Sequence, residues 1–259
     1  MVVLAWAVAL VAGPRASHAG AGDWATSVEP ATPWREISVG GSFTPSSWSL
    51  YSSSTFAPFG GLNSDGIRGR LGSGYGQYKY TVPERFHYTC PKPSHICPAM
   101  PVRGRVSFGD VLAGYQFGYG RFTAKAFAGL AIDTQALTPW DANNEGAGRA
   151  SGFKAVVETW TNITPAIWLS LDGSWTTAHE GQSIQARLGY RLLPGLSVGI
   201  EEGKVRNVAG HQFRSGLFAR YEWSGGEASL SGGINGQHHD YADTSKDRTW
   251  AAISVMFRY

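Results

Sequence analysis

Ile184-Gln185-Ala186-Arg187-Leu188-Gly189-Tyr190-Arg191-Leu192 is the stretch that decides the fold. Successive side chains of a β-strand point to opposite sides. Ile184, Ala186, Leu188, Tyr190 and Leu192 therefore share one face, and Gln185, Arg187, Gly189 and Arg191 share the other. One face is apolar and the other carries charge. The division recurs at 122–132, where Phe122, Ala124, Ala126, Ala128, Leu130 and Ile132 oppose Thr123, Lys125, Phe127 and Gly129. At 167–175, Ile167, Leu169, Leu171 and Trp175 oppose Trp168, Ser170, Asp172 and Ser174. At 213–223, Phe213, Leu217, Ala219, Tyr221 and Trp223 oppose Arg214, Gly216, Arg220 and Glu222.

A soluble sandwich also alternates, so the connections must separate the two readings. Candidate strands fall near 34–43, 47–57, 66–80, 104–117, 121–133 and 150–160, then 165–176, 182–192, 195–204, 211–223, 227–237 and 248–259. With both ends on one side, the turns on that side are short: Gly118-Tyr119-Gly120, Thr161 to Thr164, Leu193-Pro194-Gly195 and Ser224-Gly225-Gly226. The opposite connections, 81–103, 134–149, 205–210 and 238–247, are often longer. Strands of about 10 residues, short turns at one rim and long loops at the other describe a bacterial outer-membrane barrel. In the last strand Ile253, Val255, Phe257 and Tyr259 share a face and end the chain on a ring. That is the address which the outer-membrane assembly machinery reads. Closing the first strand onto the last removes an exposed edge. Two stretches fit less well. Ser46 to Phe59 is serine-rich and alternates weakly, and Tyr78 and Tyr80 lie on the face opposite Ile67, Leu71 and Tyr75. A bulge at Gly74 or Gly76, or a strand continuing above the membrane, would account for that switch.

Composition agrees. Of 259 residues, 16% are charged and 13% aromatic, with 34 glycines. This suits an apolar exterior, tight turns and aromatic girdles. The 22 Lys+Arg and 19 Asp+Glu nearly balance, so no basic run invites nucleic acid. Val2 to Gly13 is an apolar stretch too short for a spanning helix, which needs about 20 residues. Ser17-His18-Ala19 follows with small residues at alternate positions, so the segment reads as a signal peptide cleaved after Ala19, although no Lys or Arg precedes the apolar run. No later apolar run approaches a helical span.

Cys90 and Cys97 lie close together in CPKPSHIC. In an oxidising compartment they are expected to close a loop disulfide. A metal site with His95 and His87 lacks the paired spacing of zinc ligands. No metal or cofactor is expected.

The inward faces collect Arg68, Arg70, Lys125, Lys154, Arg187, Arg214 and Arg220, with Glu158, Asp172, Glu201 and Glu222. A Lys or Arg facing lipid costs about 2–4 kcal/mol at mid-depth, so these belong in the lumen. There they must pair, because an unpaired buried charge is strongly unfavourable. Such a set either plugs and stiffens the barrel or lines a path for a small polar solute or glycan; mixed signs favour the plug. His238-His239-Asp240 and His179-Glu180 are loop pairs without a nucleophile setting, since the chain has no G-x-S-x-G. Gly72-Ser73-Gly74-Tyr75-Gly76 is not a dinucleotide fingerprint, because no helix follows. No catalytic residue is assigned.

Asp65-Gly66-Ile67-Arg68-Gly69-Arg70, Gly74-Tyr75-Gly76-Gln77-Tyr78-Lys79-Tyr80, Leu112-Ala113-Gly114-Tyr115-Gln116-Phe117 and Ala128-Gly129-Leu130 resemble segments of the cellulose biosynthesis protein BcsS family. Leu137-Thr138-Pro139-Trp140-Asp141 and the run Gly152 to Trp160 follow in the same order. So do Gly189-Tyr190-Arg191, Arg214 to Phe218 and Ser231-Gly232-Gly233. The likeness covers most of the chain, with departures at 86–101, which looks inserted, and at Ile200-Glu201-Glu202-Gly203. It implies an accessory protein encoded with bacterial cellulose synthase components, without defined catalytic residues.

The expectation is therefore an all-β, up-and-down antiparallel transmembrane β-barrel of about 12 strands, with ten the nearest miscount. Residues 1–19 are read as the signal peptide, 20–33 as an N-terminal periplasmic segment and 34–259 as the outer-membrane barrel. Its partners would be outer-membrane lipid, cellulose and other cellulose-export components, with no nucleic acid. Exposed loops bearing Trp140, Asp141, Asn143, Asn144, His238 and Asp240 would touch the emerging glucan. A general pore or adhesin, and a barrel hydrolase, are the alternatives.

Overall fold

A computed structural model describes residues 33–82, 100–141, 144–208, 210–238 and 249–259. Twelve antiparallel strands form a closed barrel in which each pairs with its sequence neighbours and the first pairs with the last. They are β1 (Arg35–Phe43), β2 (Ser47–Phe56), β3 (Gly66–Val82), β4 (Met100–Tyr119), β5 (Phe122–Thr138) and β6 (Gly148–Asn162). Then follow β7 (Ile167–Thr176), β8 (Gln182–Leu193), β9 (Leu196–Asn207), β10 (Gly210–Trp223), β11 (Gly226–His238) and β12 (Thr249–Arg258). Closure runs from Glu36 opposite Arg258 to Phe43 opposite Ala251, so each strand has a partner on both sides. The predicted leader (1–19), residues 20–32 and the predicted Cys90–Cys97 disulfide lie outside the described residues.

The barrel is inside-out relative to a soluble core. Leu217 and Phe153, both 68% exposed, face outward, while Trp168, 1% exposed, and Arg220, 2% exposed, face inward. An outward apolar face of this kind suits lipid, and each strand bonds its backbone to both neighbours, the two features a spanning barrel requires. Rings gather at both ends of the apolar band: Tyr119, Tyr190, Tyr221 and Phe257 near one rim, Tyr75, Trp175 and Phe213 toward the other. One outward carboxylate, Glu202, sits mid-strand and accepts a hydrogen bond from Ser215 Oγ at 2.6 Å.

Two expectations about connections need correction. First, β3 keeps one register against both neighbours throughout, with no bulge at Gly74 or Gly76. The face of Tyr78 and Tyr80 is simply the lumen, which Arg68 and Arg70 also face. The tyrosines stack with ring centroids 6.1 Å apart, and their hydroxyls donate to Gln135 (3.1 Å) and Asp141 (2.7 Å). A ring with a satisfied polar tip is at home there. At 17 residues β3 also exceeds the roughly 10 needed to cross. Second, the long loop expected at 205–210 shrinks to residues 208–209, because β9 and β10 continue almost to each other. Conversely, residues 57–65 make a longer connection at the rim where β1 begins. That segment folds inward: Arg68 donates to the carbonyls of Gly61 (3.0 Å) and Ser64, and Gln116 Nε2 donates to the carbonyl of Leu62 (2.8 Å).

Candidate functional site: the ionic and aromatic lumen

Because side chains alternate, a strand that shows lipid an apolar face must point its other face into the barrel. All seven bases and four acids read as inward from sequence lie there, Glu222 half-exposed at the rim. Glu201, on β9, lies between Arg187 of β8, which donates to it, and Arg214 of β10, 3.4 Å away. Arg70 of β3 reaches across to Glu158 of β6 at 2.5 Å. Lys154 of β6 meets Asp110 of β4 at 2.6 Å. Arg220 joins Glu222 (2.7 Å) and Glu227, two acids that face each other across β10 and β11. Without the arginine between them those like charges would repel. Lys125 lies in register with Glu158, and Asp172 flanks the same glutamate from β7.

The aromatic groups follow a second rule. Inward glycines sit opposite inward rings in register: Gly40–Tyr51, Gly74–Phe108, Gly104–Tyr78, Gly114–Phe127, Gly189–Trp168 and Gly199–Phe218. A Cβ on Gly104 would come within 2.1 Å of the Tyr78 ring, and one on Gly189 within 2.2 Å of Trp168. Each ring therefore lies flat over a bare stretch of wall. The guanidinium of Arg220 rests over Trp160 (4.8 Å) and Trp168 (5.3 Å), whose rings stack 4.1 Å apart. Arg70 lies over Phe127 at 4.6 Å and Arg214 over Trp250 at 4.3 Å. Cation–π contact in a desolvated site adds to the ion pairs.

Sequence reasoning missed Asp110 and Glu227, and the looser pair Arg258–Glu36 at 3.6 Å. A signal existed, because the inward set held seven bases against four acids. Asp110 and Glu227 supply two of the missing acids, and Arg68 is held instead by backbone carbonyls. The ring-over-glycine register was also missed, since it emerges only once strands are paired.

A cavity of about 60 Å³ opens toward the rim away from the β1 start, lined by Phe108, Asp110, Asp133, Lys154, His179 and Asn207 among others. His179 and Glu180 belong to a turn, Ala178–Glu180, with positive φ at both residues. Burial holds the His179 imidazole below its ordinary pKa and so favours the neutral form.

The loop residues expected to meet glycan divide. Asp141 and Asn144, each 4% exposed, are buried, which corrects their placement on an exposed loop. Asp141 accepts from the Tyr80 hydroxyl, and Asn144 Nδ2 donates to that hydroxyl at 3.1 Å. Together they staple the β5–β6 connection to the lumen wall, satisfying a buried hydroxyl that would otherwise cost about 1–3 kcal/mol. Trp140 beside them is 65% exposed. Asn143, Asp240 and the side chain of His238 lie outside the described residues.

Among solved structures, the chain is similar to the KdgM porin in complex with disordered oligogalacturonate, at 10% identity over 86% of this chain and 99% of that one, TM-score 0.47. It is similar to the translocator domain of autotransporter NalP from Neisseria meningitidis, at 12% identity over 88% and 90%, TM-score 0.45. The transport unit of the autotransporter AIDA-I from Escherichia coli gives 12% identity over 93% and 94%, TM-score 0.43. No curated protein matches the chain. The family model for cellulose biosynthesis protein BcsS matches residues 39–258, from β1 to the end of β12. The chain belongs to the cellulose biosynthesis protein BcsS family.

Proposed function

We propose that the protein is a non-catalytic outer-membrane barrel that acts as a plugged scaffold in bacterial cellulose biosynthesis and export. The observation that carries this reading is the lumen. Its inward charges are paired along the wall, and two pairs (Arg70–Glu158 and Lys154–Asp110) link strands that are not neighbours. Arg68 is held by backbone carbonyls, and Arg68, Arg70, Glu158, Glu201 and Arg220 are almost inaccessible to solvent. An open pore would leave such groups hydrated. Family membership supports the pathway. The apolar outer face supports residence in lipid, with the rim where β1 begins in the periplasm and the 139–147 connection outside. In this reading Asp141 and Asn144 hold the base of that connection, and Trp140 offers its ring to a pyranose face of the emerging glucan. Asn143, His238 and Asp240 are proposed to join it. Export through a signal peptide cleaved after Ala19, and a Cys90–Cys97 disulfide, belong to the same proposal.

Deleting the gene and complementing it with the wild type or with Trp140→Ala tests the role. The expected result is altered cellulose export, retention or fibre form on deletion, with Trp140→Ala restoring the barrel but not the normal fibre. Unchanged cellulose in all three respects contradicts the reading.

A further inference from the structure

Lys79 on β3 and Arg103 on β4 face each other directly in register, and Arg105 lies two residues further along, opposite Gln77. All three point outward and are exposed. Like charges in opposed positions destabilise a strand pair unless an anion lies between them. The flanking register offers none: Arg103 and Arg105 face Thr138 and Ala136 on β5, and Gln77 faces Trp48 on β2. Among the described residues no carboxylate pairs with any of the three cations. Elsewhere on the outer face the balance differs, since Lys204 and Arg206 on β9 share their row with Glu202, and Lys204 rests over Phe213 at 4.9 Å.

The cluster also has a definite depth. Tyr75 and Trp48 lie just below it, ring centroids 5.8 Å apart, and Gln77 Nε2 donates to the Tyr75 hydroxyl at 3.3 Å. Rings with polar tips mark the membrane–water boundary. Below them the same face carries Leu71, Ile67, Val111 and Tyr115, all exposed. Counted from the start of β3, Lys79 stands beyond the roughly 10 residues that cross the hydrocarbon. An anion that meets these cations while apolar chains cover Leu71 and Val111 must itself be amphipathic.

We propose that Lys79, Arg103 and Arg105 bind the phosphorylated head group of an anionic glycolipid in the outer leaflet, with its acyl chains against the apolar strip below. Arg103 and Arg105 offer forked donors that suit phosphate oxygens, and Lys79 adds a point charge. The inference rests on reading the chain as an outer-membrane barrel.

The full chain, purified in detergent, is titrated with mixed micelles carrying a phosphorylated glycolipid or the same lipid stripped of phosphate, and bound lipid is counted by native mass spectrometry. The expected result is a clear preference of the wild type for the phosphorylated form. Lys79→Gln and Arg105→Gln should each weaken that binding about fivefold, the effect of one cation near an anionic surface. Lys204→Gln should leave it unchanged. Equal binding of both lipids by the wild type overturns the inference, whether or not any variant folds. So does full binding by the triple glutamine variant, or co-purification of an acidic protein on these residues in place of lipid. A wild type that stays monodisperse without detergent defeats the barrel reading itself, an outcome distinct from a folded barrel that shows no lipid preference.

Discussion

Two arcs of the lumen wall, one of eight strands and one of four, are built from different chemistry. From β3 round to β10 the inward positions hold most of the large ions and most of the flat rings over glycines. Across β1, β2, β11 and β12 most are small, Ser38, Ser49, Ser53, Thr55, Ser229, Ser231 and Ser254 with Gly40 and Gly233, and the larger inward groups there are fewer: Glu36, Tyr51, Glu227, Trp250 and Arg258. Ser38 and Ser53 bond each other at 3.1 Å, whereas the hydroxyls of Ser49, Ser229 and Ser231 find no partner among the described residues. Rigidity resides in the longer, ionic arc. One arc supplies long side chains that cross the interior and lock strands distant in sequence, as Arg70–Glu158 does over 88 positions. The other is a thin wall that leaves room for those side chains.

If that division is right, substitutions of similar size should have very different costs in the two arcs. The largest effect belongs to Glu201→Leu, which leaves Arg187 and Arg214 buried without their carboxylate. Loss of one partner of a buried pair costs about 3–5 kcal/mol. Urea unfolding of the refolded barrel should record a loss of that size. Next comes Gly104→Ala, whose methyl would strike the Tyr78 ring. Overpacking costs about 1–3 kcal/mol, and pairing it with Tyr78→Leu should recover part of the loss. A wild-type unfolding midpoint for the single variant would show that the ring does not lie over that glycine.

Tyr80→Phe should have a smaller effect, about 1 kcal/mol, because it removes the hydroxyl shared by Asp141 and Asn144 without leaving a cavity. Its signature is local: protease should cut within 139–147 faster while the barrel stays intact. The smallest effect is expected in the other arc. Ser231→Ala deletes a buried hydroxyl that bonds to nothing described, so no stability should be lost. A loss as large as that of Gly104→Ala would erase the distinction between the arcs.

The two arcs also differ in how plainly sequence reveals them. The ionic arc was legible because a charge on alternate positions of an apolar strand admits one placement: Arg187 between Ala186 and Leu188 cannot face lipid. The seryl arc was nearly silent, since serine tolerates either face, and residues 46–59 offered little alternation to count. Tyr78 and Tyr80 misled by similar reasoning. A ring alone reads as a mark of the outer face, whereas glycine opposite Tyr78 and a partner for each hydroxyl make the lumen equally suitable. Partnerships such as Arg70–Glu158 and the Tyr80–Asp141–Asn144 staple depend on register across several strands, which no single segment specifies. Asp141 and Asn144 looked like surface polar residues for that reason.

Single-channel recording in a planar bilayer bears most directly on whether crossing ion pairs and flat rings close the interior. Wild-type protein, verified as a folded barrel by heat-modifiable migration, should add no steady conductance to the bare membrane. Steady, ohmic conductance from every inserted molecule would mean that ions pass the pairs around Glu201 and Arg220, and the scaffold would have to give way to a pore.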